Sequence, residues 1–415
     1  MKKYFSAVLA IGIFAVAGIG FGQLFTSCNS VKSHVWADAA DSCTYVLVDR
    51  FMDKETGLFK GSAGDVLKNS RWMYWQQSHS MNVLIDSYNR IKDSDPELVA
   101  QYEDYFARWI ANNGNNWWED NRNGFYNQFT DDMAWIAITL LNLSEALDDE
   151  RYHEMAEEVY DYMVEEIRVV EDEKGWGLCW RLVVDANPTP EYVAQSEARH
   201  ACTVVPAGVV ACRLYDDTGR ETYLEQAIKI YDYMRNWGGA DDNGSVGEPP
   251  LTYTQGAWIE MCRLLYHITG EQKYMDDAVK CAEFTMQANG RCTTAGYDDG
   301  NGNGILRDEG ATEDNSFFKA AFIPYVINLA MDESTSPALR ERIVRFLTYN
   351  AQVMWSNVDR SLYPAMYVNH DWTKVYDTTV TLEGVEYVRP GSLGAQTSGA
   401  SLLEGMARIE AAGLL

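Results

Sequence analysis

Two adjacent acids, Asp131 and Asp132, stand where a polar, aromatic stretch beginning at Asn115 gives way to an apolar run. That run, Met133-Ala134-Trp135-Ile136-Ala137-Ile138 and then Leu140-Leu141, is apolar on almost every side. A helix of this kind is normally buried all round, so the carboxylates mark the point where a solvent-facing loop enters a buried helix. Asp also favours helix N-termini as a cap and as a partner of the helix dipole. Two features point beyond capping. Like-charge repulsion between neighbouring carboxyls lifts one pKa and leaves one acid charged beside one neutral. Trp117, Trp118, Phe125, Tyr126 and Trp135 flank the pair with flat apolar faces of the kind that stack on sugar rings. A charged and a neutral carboxyl are the pair that glycosidic cleavage needs. A gap of about 5–5.5 Å gives retention at the anomeric carbon, and about 6.5–9.5 Å gives inversion. Neighbours on a regular helix do not face each other, so the first acid must leave the helical path for both to reach one bond.

Other chemistry-bearing residues are less organised. Asp299, Asn301, Asn303 and Gly304 match the start of a calcium loop. Its twelfth position falls on Gly310, with Glu309 one place early, so Asp298–Glu309 reads as a substrate-lining loop rather than a calcium site. The glycines there are followed by no Lys-Ser/Thr and cradle no phosphate. His79 and His200 fall near the starts of buried helices and could face a cleft; the remaining histidines are scattered. Apart from Cys28 there are seven cysteines, an odd number without paired spacing, which is no disulfide framework. Most lie in apolar helical runs and read as core thiols. With no CxxC, HExxH or GxSxG, the chain is expected to need no metal and no cofactor.

These residues must be positioned by helices. One set is amphipathic, with apolar residues at three- and four-residue steps: Glu97–Ile110, Arg151–Ile167, Glu221–Trp237, Gln272–Met286 and Ala338–Val353. The other set is apolar nearly all round or rich in small residues: Asp132–Leu147, Ala201–Tyr215, Gln255–Ile268, Phe317–Met331 and Gly394–Ile409. Trp36–Phe51 reads as a first outer helix and Trp72–Ile91 as a first inner one. No stretch reads convincingly as a strand. A repeat supports the alternation: Tyr152, Ala156, Tyr160, Tyr162, Met163 recur as Tyr223, Ala227, Tyr231, Tyr233, Met234, and more weakly as Tyr274, Ala278, Ala282, Phe284, Met286. These residues are read as packing positions. Six outer–inner hairpins whose inner helices are apolar on both flanks close into a ring. The expected fold is therefore all-α, an (α/α)6 barrel. Inner helices in such a ring are parallel, and the polar, glycine-rich and aromatic segments collect just before their N-termini. Those loops converge on one rim, with Asp131 and Asp132 inside the cleft they make.

The sequence ahead of the ring has a different purpose. Lys2 and Lys3, the apolar Ala7–Ile19 and the loose lipobox Phe25-Thr26-Ser27-Cys28 form a lipoprotein signal over residues 1–27. Cys28 is the expected lipidated residue, 28–35 a tether and 36–415 a single domain. An exported protein, on the periplasmic side or surface of a Gram-negative cell, follows, and its acyl chain would be its only membrane attachment. Removing residues 1–27 takes away two lysines and no acid, leaving 61 acidic residues against 32 basic ones. So acidic a chain repels nucleic acid and anionic membranes and tolerates neutral substrates. A monomer is expected.

Several short segments, taken in order, resemble glycoside hydrolase family 76, the endo-α-1,6-mannanases. They are Tyr74-Trp75-Gln76-Gln77, Phe129-Thr130-Asp131-Asp132-Met133-Ala134-Trp135, Leu251-Thr252-Tyr253-Thr254-Gln255-Gly256, Gly304-Ile305-Leu306-Arg307, Phe318-Lys319 and Gln396-Thr397-Ser398. The resemblance implies an (α/α)6 barrel that cleaves α-1,6-linked mannan with retention. It puts the nucleophile at Asp131 and the acid/base at Asp132, and suggests Trp75, Gln76, Tyr253, Gln255 and Gln396 as sugar contacts. A transglycosylase on the same scaffold and a non-catalytic glycan-binding lipoprotein are the competing expectations.

Overall fold

Short turns follow the buried helices and long loops precede them, and this asymmetry sets the architecture. The protein is described by a computed structural model over residues 35–65, 73–113, 124–361, 366–377, 379–382, 385–388 and 390–415. The signal segment, Cys28, Trp117 and Trp118 lie outside these residues. The chain runs through α1 (Val35–Val46, prolonged by a wider turn to Phe51), α2 (Tyr74–Ile91), α3 (Pro96–Asn113), α4 (Thr130–Leu147) and α5 (Glu150–Tyr162). The hairpin β1 (Val169–Asp172) and β2 (Gly175–Leu178) and the short α6 (Pro190–Ser196) come next. Then follow α7 (Ala201–Thr218), α8 (Glu221–Asn236), α9 (Thr252–Thr269), α10 (Gln272–Met286), α11 (Phe318–Met331) and α12 (Pro337–Ser356). A second hairpin, β3 (Thr379–Leu382) and β4 (Val385–Val388), precedes the last helix, α13 (Leu393–Ala411).

α2, α4, α7, α9, α11 and α13 each pack against the next, and α13 returns to α2. This closed inner ring is the (α/α)6 barrel. Sequence pattern explains which helix goes where. α13 is buried at nearly every position from Leu393 to Ala407, whereas α5 buries only Tyr152, Ala156, Val159 and Tyr160, one stripe of its surface. The tight hairpins are inner-then-outer: α5 packs on α4, α8 on α7 and α10 on α9. Left-handed residues stop α4 at Asp148, α7 at Gly219 and α9 at Gly270. Glycine meets that backbone requirement without a Cβ penalty at the last two.

This pairing differs from the outer-then-inner hairpins expected, and it leaves α1 to serve as the outer partner of α13. Closure is therefore made between the two ends of the ring. The Glu410 carboxylate accepts from the backbone N–H of Trp36 at 3.2 Å and caps α1. Glu404 accepts from the Thr44 hydroxyl at 2.8 Å and from the Arg90 guanidinium at 2.7 Å.

The tyrosine repeat acts between neighbours in the outer layer. Tyr160 of the first copy meets Tyr223 of the second edge to face at 5.5 Å, and Tyr231 of the second meets Tyr274 of the third in the same way at 4.6 Å. The third position of one copy thus packs on the first position of the next. The absence of convincing strands in the sequence reading is corrected by the two hairpins, which pair antiparallel with Val169 opposite Leu178 and Thr379 opposite Val388. Each strand is four residues long, too short for alternation to stand out against loop sequence.

Candidate active site

The start of α4 is fixed by a neighbouring strand-like segment. Phe129 bridges antiparallel to Arg181. The Thr130 N–H donates to the Trp180 carbonyl at 2.9 Å, the Leu182 N–H to the Gln128 carbonyl at 2.8 Å, and the Thr130 hydroxyl to the Cys179 carbonyl at 2.6 Å. This clamp delivers both aspartates, half-buried, to the first turn of the helix.

Their surroundings differ. The Asp131 carboxylate accepts from the Asp132 N–H at 3.1 Å, over the positive end of α4. Burial pushes Asp131 up to about 6; backbone N–H groups and the Trp180 side chain, which hydrogen-bond the carboxylate, pull it down, and the charge of Asp314 pushes it up. Asp132 is raised well above the usual carboxylate range by burial, then by the charges of Asp131 and Asp314; only the Asn127 amide, donating at 2.9 Å, opposes this. Asn127 is itself held by the Phe129 N–H, which donates to its Oδ1 at 3.2 Å. The arrangement favours an ionised Asp131 beside a protonated Asp132.

Residues from four other inner-helix starts meet around the pair, so the N-termini do share one rim. Asp314, in the loop before α11, accepts from the Gln76 amide at 2.8 Å and the Trp75 indole at 3.2 Å, both on the first turn of α2. Tyr253 of α9 stacks on Phe318 of α11 at 4.2 Å, and Trp75 lies over the same ring at 6.4 Å. The Tyr253 hydroxyl also interacts with the Cys202 thiol of α7, and both feel the charge of Asp131. Trp75, Tyr253 and Phe318 therefore form one aromatic cluster on the rim that carries the acids.

Two expected sugar contacts are corrected. Gln255 is fully buried; its Oε1 accepts from the Val246 N–H at 3.1 Å and its amide nitrogen donates to the Val246 carbonyl at 2.5 Å. Gln396 is likewise buried, accepting from the Val368 N–H at 3.3 Å and donating to the Cys43 carbonyl at 3.2 Å. Both amides brace backbone, Gln255 both polar groups of Val246 and Gln396 the Val368 N–H and the Cys43 carbonyl of α1. Gln76 is buried too, but its Oε1 has no hydrogen-bond partner among the described residues, which leaves an unsatisfied acceptor on the residue that binds Asp314.

The flanking aromatics divide in the same way. Phe125 packs on Trp109 at 5.7 Å, Tyr126 on Tyr162 at 4.6 Å, and Trp135 on His79 at 4.8 Å, so these three are packing residues. His79 is buried between Trp135 and Trp75, and burial pushes its imidazole down to about 3, which keeps it neutral. His200 is exposed, with its ring against Trp180 at 5.8 Å. In the Asp298–Glu309 loop, Asp299 turns inward and accepts from the N–H groups of Asn301 and Asn303 and from the Asn303 amide. Glu309 caps α9 through the Thr252 N–H at 2.8 Å. Among the described residues no group of three or more His, Cys, Asp or Glu side chains is arranged to hold a metal ion.

Trp180, Asn127 and Asp314 escaped the sequence reading. The alternation in Trp176-Gly177-Leu178-Cys179-Trp180 was the one local signal for the first. Nothing local marks Asp314, whose neighbours in sequence, Glu313 and Asn315, are ordinary loop residues.

Comparison with known proteins agrees with this fold. The sequence model of Glycosyl hydrolase family 76 matches residues 35–398. An alpha-1,6-mannanase of Salegentibacter sp. HEL1_6 is 23% identical, with 90% of this chain and 99% of that one covered and a TM-score of 0.72. That structure is an inactive variant, two consecutive aspartates replaced by alanine, in complex with alpha-1,6-mannotetrose. The Lin0763 protein of Listeria innocua is also 23% identical at a TM-score of 0.72, covering 91% and 98% of the two chains. A family 76 mannosidase of Bacteroides thetaiotaomicron is 19% identical at 0.67, covering 91% and 99%. No curated protein sequence matches this chain.

Proposed function

Because this chain belongs to glycosyl hydrolase family 76 and is a glycoside hydrolase, we propose that it cleaves α-1,6-mannosidic linkages with retention of configuration. The observation that carries the reading is the unequal environment of two adjacent acids. Asp131, hydrogen-bonded by backbone N–H groups and by Trp180, is the one that stays ionised. Asp132, facing two negative charges, is the one that keeps its proton. In the first step the Asp131 carboxylate attacks the anomeric carbon while Asp132 gives its proton to the departing glycosidic oxygen. The product is a glycosyl ester on Asp131. In the second step Asp132, now a carboxylate, takes a proton from water as its oxygen attacks the same carbon; Asp131 leaves as carboxylate and Asp132 is reprotonated. Two inversions at one carbon give net retention.

The linkage is supported by the alpha-1,6-mannanase with its bound mannotetrose among the similar structures, and by the aromatic cluster of Trp75, Tyr253 and Phe318, which suits pyranose faces. The acidic composition suits a neutral polysaccharide. The lipobox at Phe25–Cys28 supports an exported enzyme anchored by an acyl chain; palmitate labelling that survives Cys28→Ala would refute the anchor. The central test is incubation with linear α-1,6-mannan. New reducing ends of α configuration are expected, with a loss of about 10²–10⁴-fold for Asp132→Asn and a loss at least as deep for Asp131→Asn. Binding of mannan without cleavage by the wild type would make the protein a glycan-binding module. Transfer products dominating in excess acceptor would make it a transglycosylase.

A further inference from the structure

The rim opposite the aspartates holds a cavity of about 850 Å³ to which all six inner helices contribute from their C-terminal halves. Its lining is polar and charged, which is unusual for the middle of a helical ring. Part of this has a structural cause. Six helix C-termini converge there, and their partial negative charges favour cations. Arg90, Arg213, Arg263 and Arg408 supply them. All four are then engaged by protein groups. Arg90 pairs with Glu404, Arg263 with Glu260 and Asp332, Arg213 with Asn142 and Glu145, and Arg408 donates to the Asn328 side chain.

Two polar groups are left over. Tyr325 of α11 is only 8% exposed, lines the cavity, and its hydroxyl has no hydrogen-bond partner among the described residues. Burial dominates the surroundings of that hydroxyl, and Glu260 and Arg213, both cavity residues, are near enough to act on it electrostatically. Asp86 of α2, on another part of the wall, forms no hydrogen bond or ion pair among the described residues; it feels the charge of Arg408. Asp86 is half-buried and both groups line the cavity, so each presents polar atoms to it that no protein side chain engages among the described residues.

We propose that this far mouth of the barrel is a second binding site, which takes a neutral polyhydroxylated ligand such as a monosaccharide and uses Asp86 and Tyr325 as free hydrogen-bonding groups. The volume is within the range of small-molecule sites, about 300–1,000 Å³. The chemistry follows from the lining. Carboxylates and cations both line the wall, so an anion meets Asp86, Glu260 and Glu404, and a cation meets the guanidiniums. Hydroxyl groups both donate and accept and use the two kinds of neighbour at once. The site is separate from the aspartate pair, which stands at the N-terminal ends of the same helices, and its existence does not depend on which glycosidic linkage the enzyme cuts.

Calorimetric titration of the full chain with methyl α-mannoside tests this, with inorganic phosphate and spermidine as charged probes. Binding of the mannoside is expected to persist in Trp75→Ala, which damages the catalytic cleft. Tyr325→Phe and Asp86→Asn, both near-isosteric, are each expected to weaken this persistent binding about fivefold or more while leaving reducing-end release unchanged. If one variant fails to fold, by loss of its cooperative thermal transition, the other decides. Loss of all mannoside binding in Trp75→Ala, indifference of the binding to the folded variants, or preference for phosphate or spermidine would overturn the proposal.

Discussion

The Asp314 carboxylate accepts a 2.8 Å hydrogen bond from the Gln76 amide and so ties the loop before α11 to the first turn of α2 across the cleft. Gln76 thereby fixes in place the charge that raises both Asp131 and Asp132. The aspartate pair is tuned by a third acid that does not adjoin it in sequence.

Asp314→Asn is therefore expected to shift the whole pH–rate profile of hydrolysis to lower pH. Removing a nearby negative charge lowers the pKa of both acids, so the acidic limb set by Asp131 and the basic limb set by Asp132 move together. Trp180→Phe has the opposite effect on one limb. It removes a hydrogen bond that stabilises ionised Asp131, so the acidic limb moves to higher pH. Profiles of kcat/KM for the two variants check both directions; a shared direction would contradict the assignment.

A second expectation concerns stability. Asp131 titrates at about 6 in the folded chain against an ordinary 3.8, so the folded state binds this proton more tightly than the unfolded state does. The stability it contributes is complete below about pH 3.8 and is lost as pH rises through about 6. Asp131→Asn cannot ionise. It is expected to be more stable than the wild type at pH 8, by at most roughly 3 kcal/mol, with no such gain at pH 3. Thermal unfolding at both pH values measures this, and an equal difference at each would refute it.

A third expectation separates the braces from the sugar contacts. Gln255→Ala leaves the buried Val246 N–H without its acceptor and the Val246 carbonyl with the Thr254 hydroxyl as its remaining side-chain donor, a loss of about 1–3 kcal/mol. The midpoint of thermal unfolding should fall by several degrees. Trp75→Phe keeps an aromatic face but drops the indole donor to Asp314. Its KM for mannan should rise severalfold with a smaller change in unfolding temperature. A Gln255 variant that changes KM alone would return that residue to the cleft.

Helix type, order and burial were legible in the sequence because periodicity is local. The three- and four-residue steps of α5, α8 and α10 and the uninterrupted apolar run of α4 state which side of each helix meets water. The closed ring and the rim of loops follow from that alternation. Asp131 and Asp132 were legible for the same reason, since a loop-to-helix junction is written in consecutive residues. The pairing of α1 with α13 was not, because it is a contact between the two ends of the ring that only closure creates.

Tertiary structure alone decided which polar residue does what on the rim. Gln76, Gln255 and Gln396 are one residue type at similar places on inner helices, yet one reaches a cleft carboxylate and two are sealed against backbone. Trp180 and Asp314 reach the aspartates from distant parts of the chain, and Asp86 and Tyr325 share a cavity only because six C-termini converge. The physical reason is range. A sequence fixes the local preference of each segment, whereas hydrogen-bond partners and pKa values depend on which charges and dipoles the closed ring brings within a few ångströms.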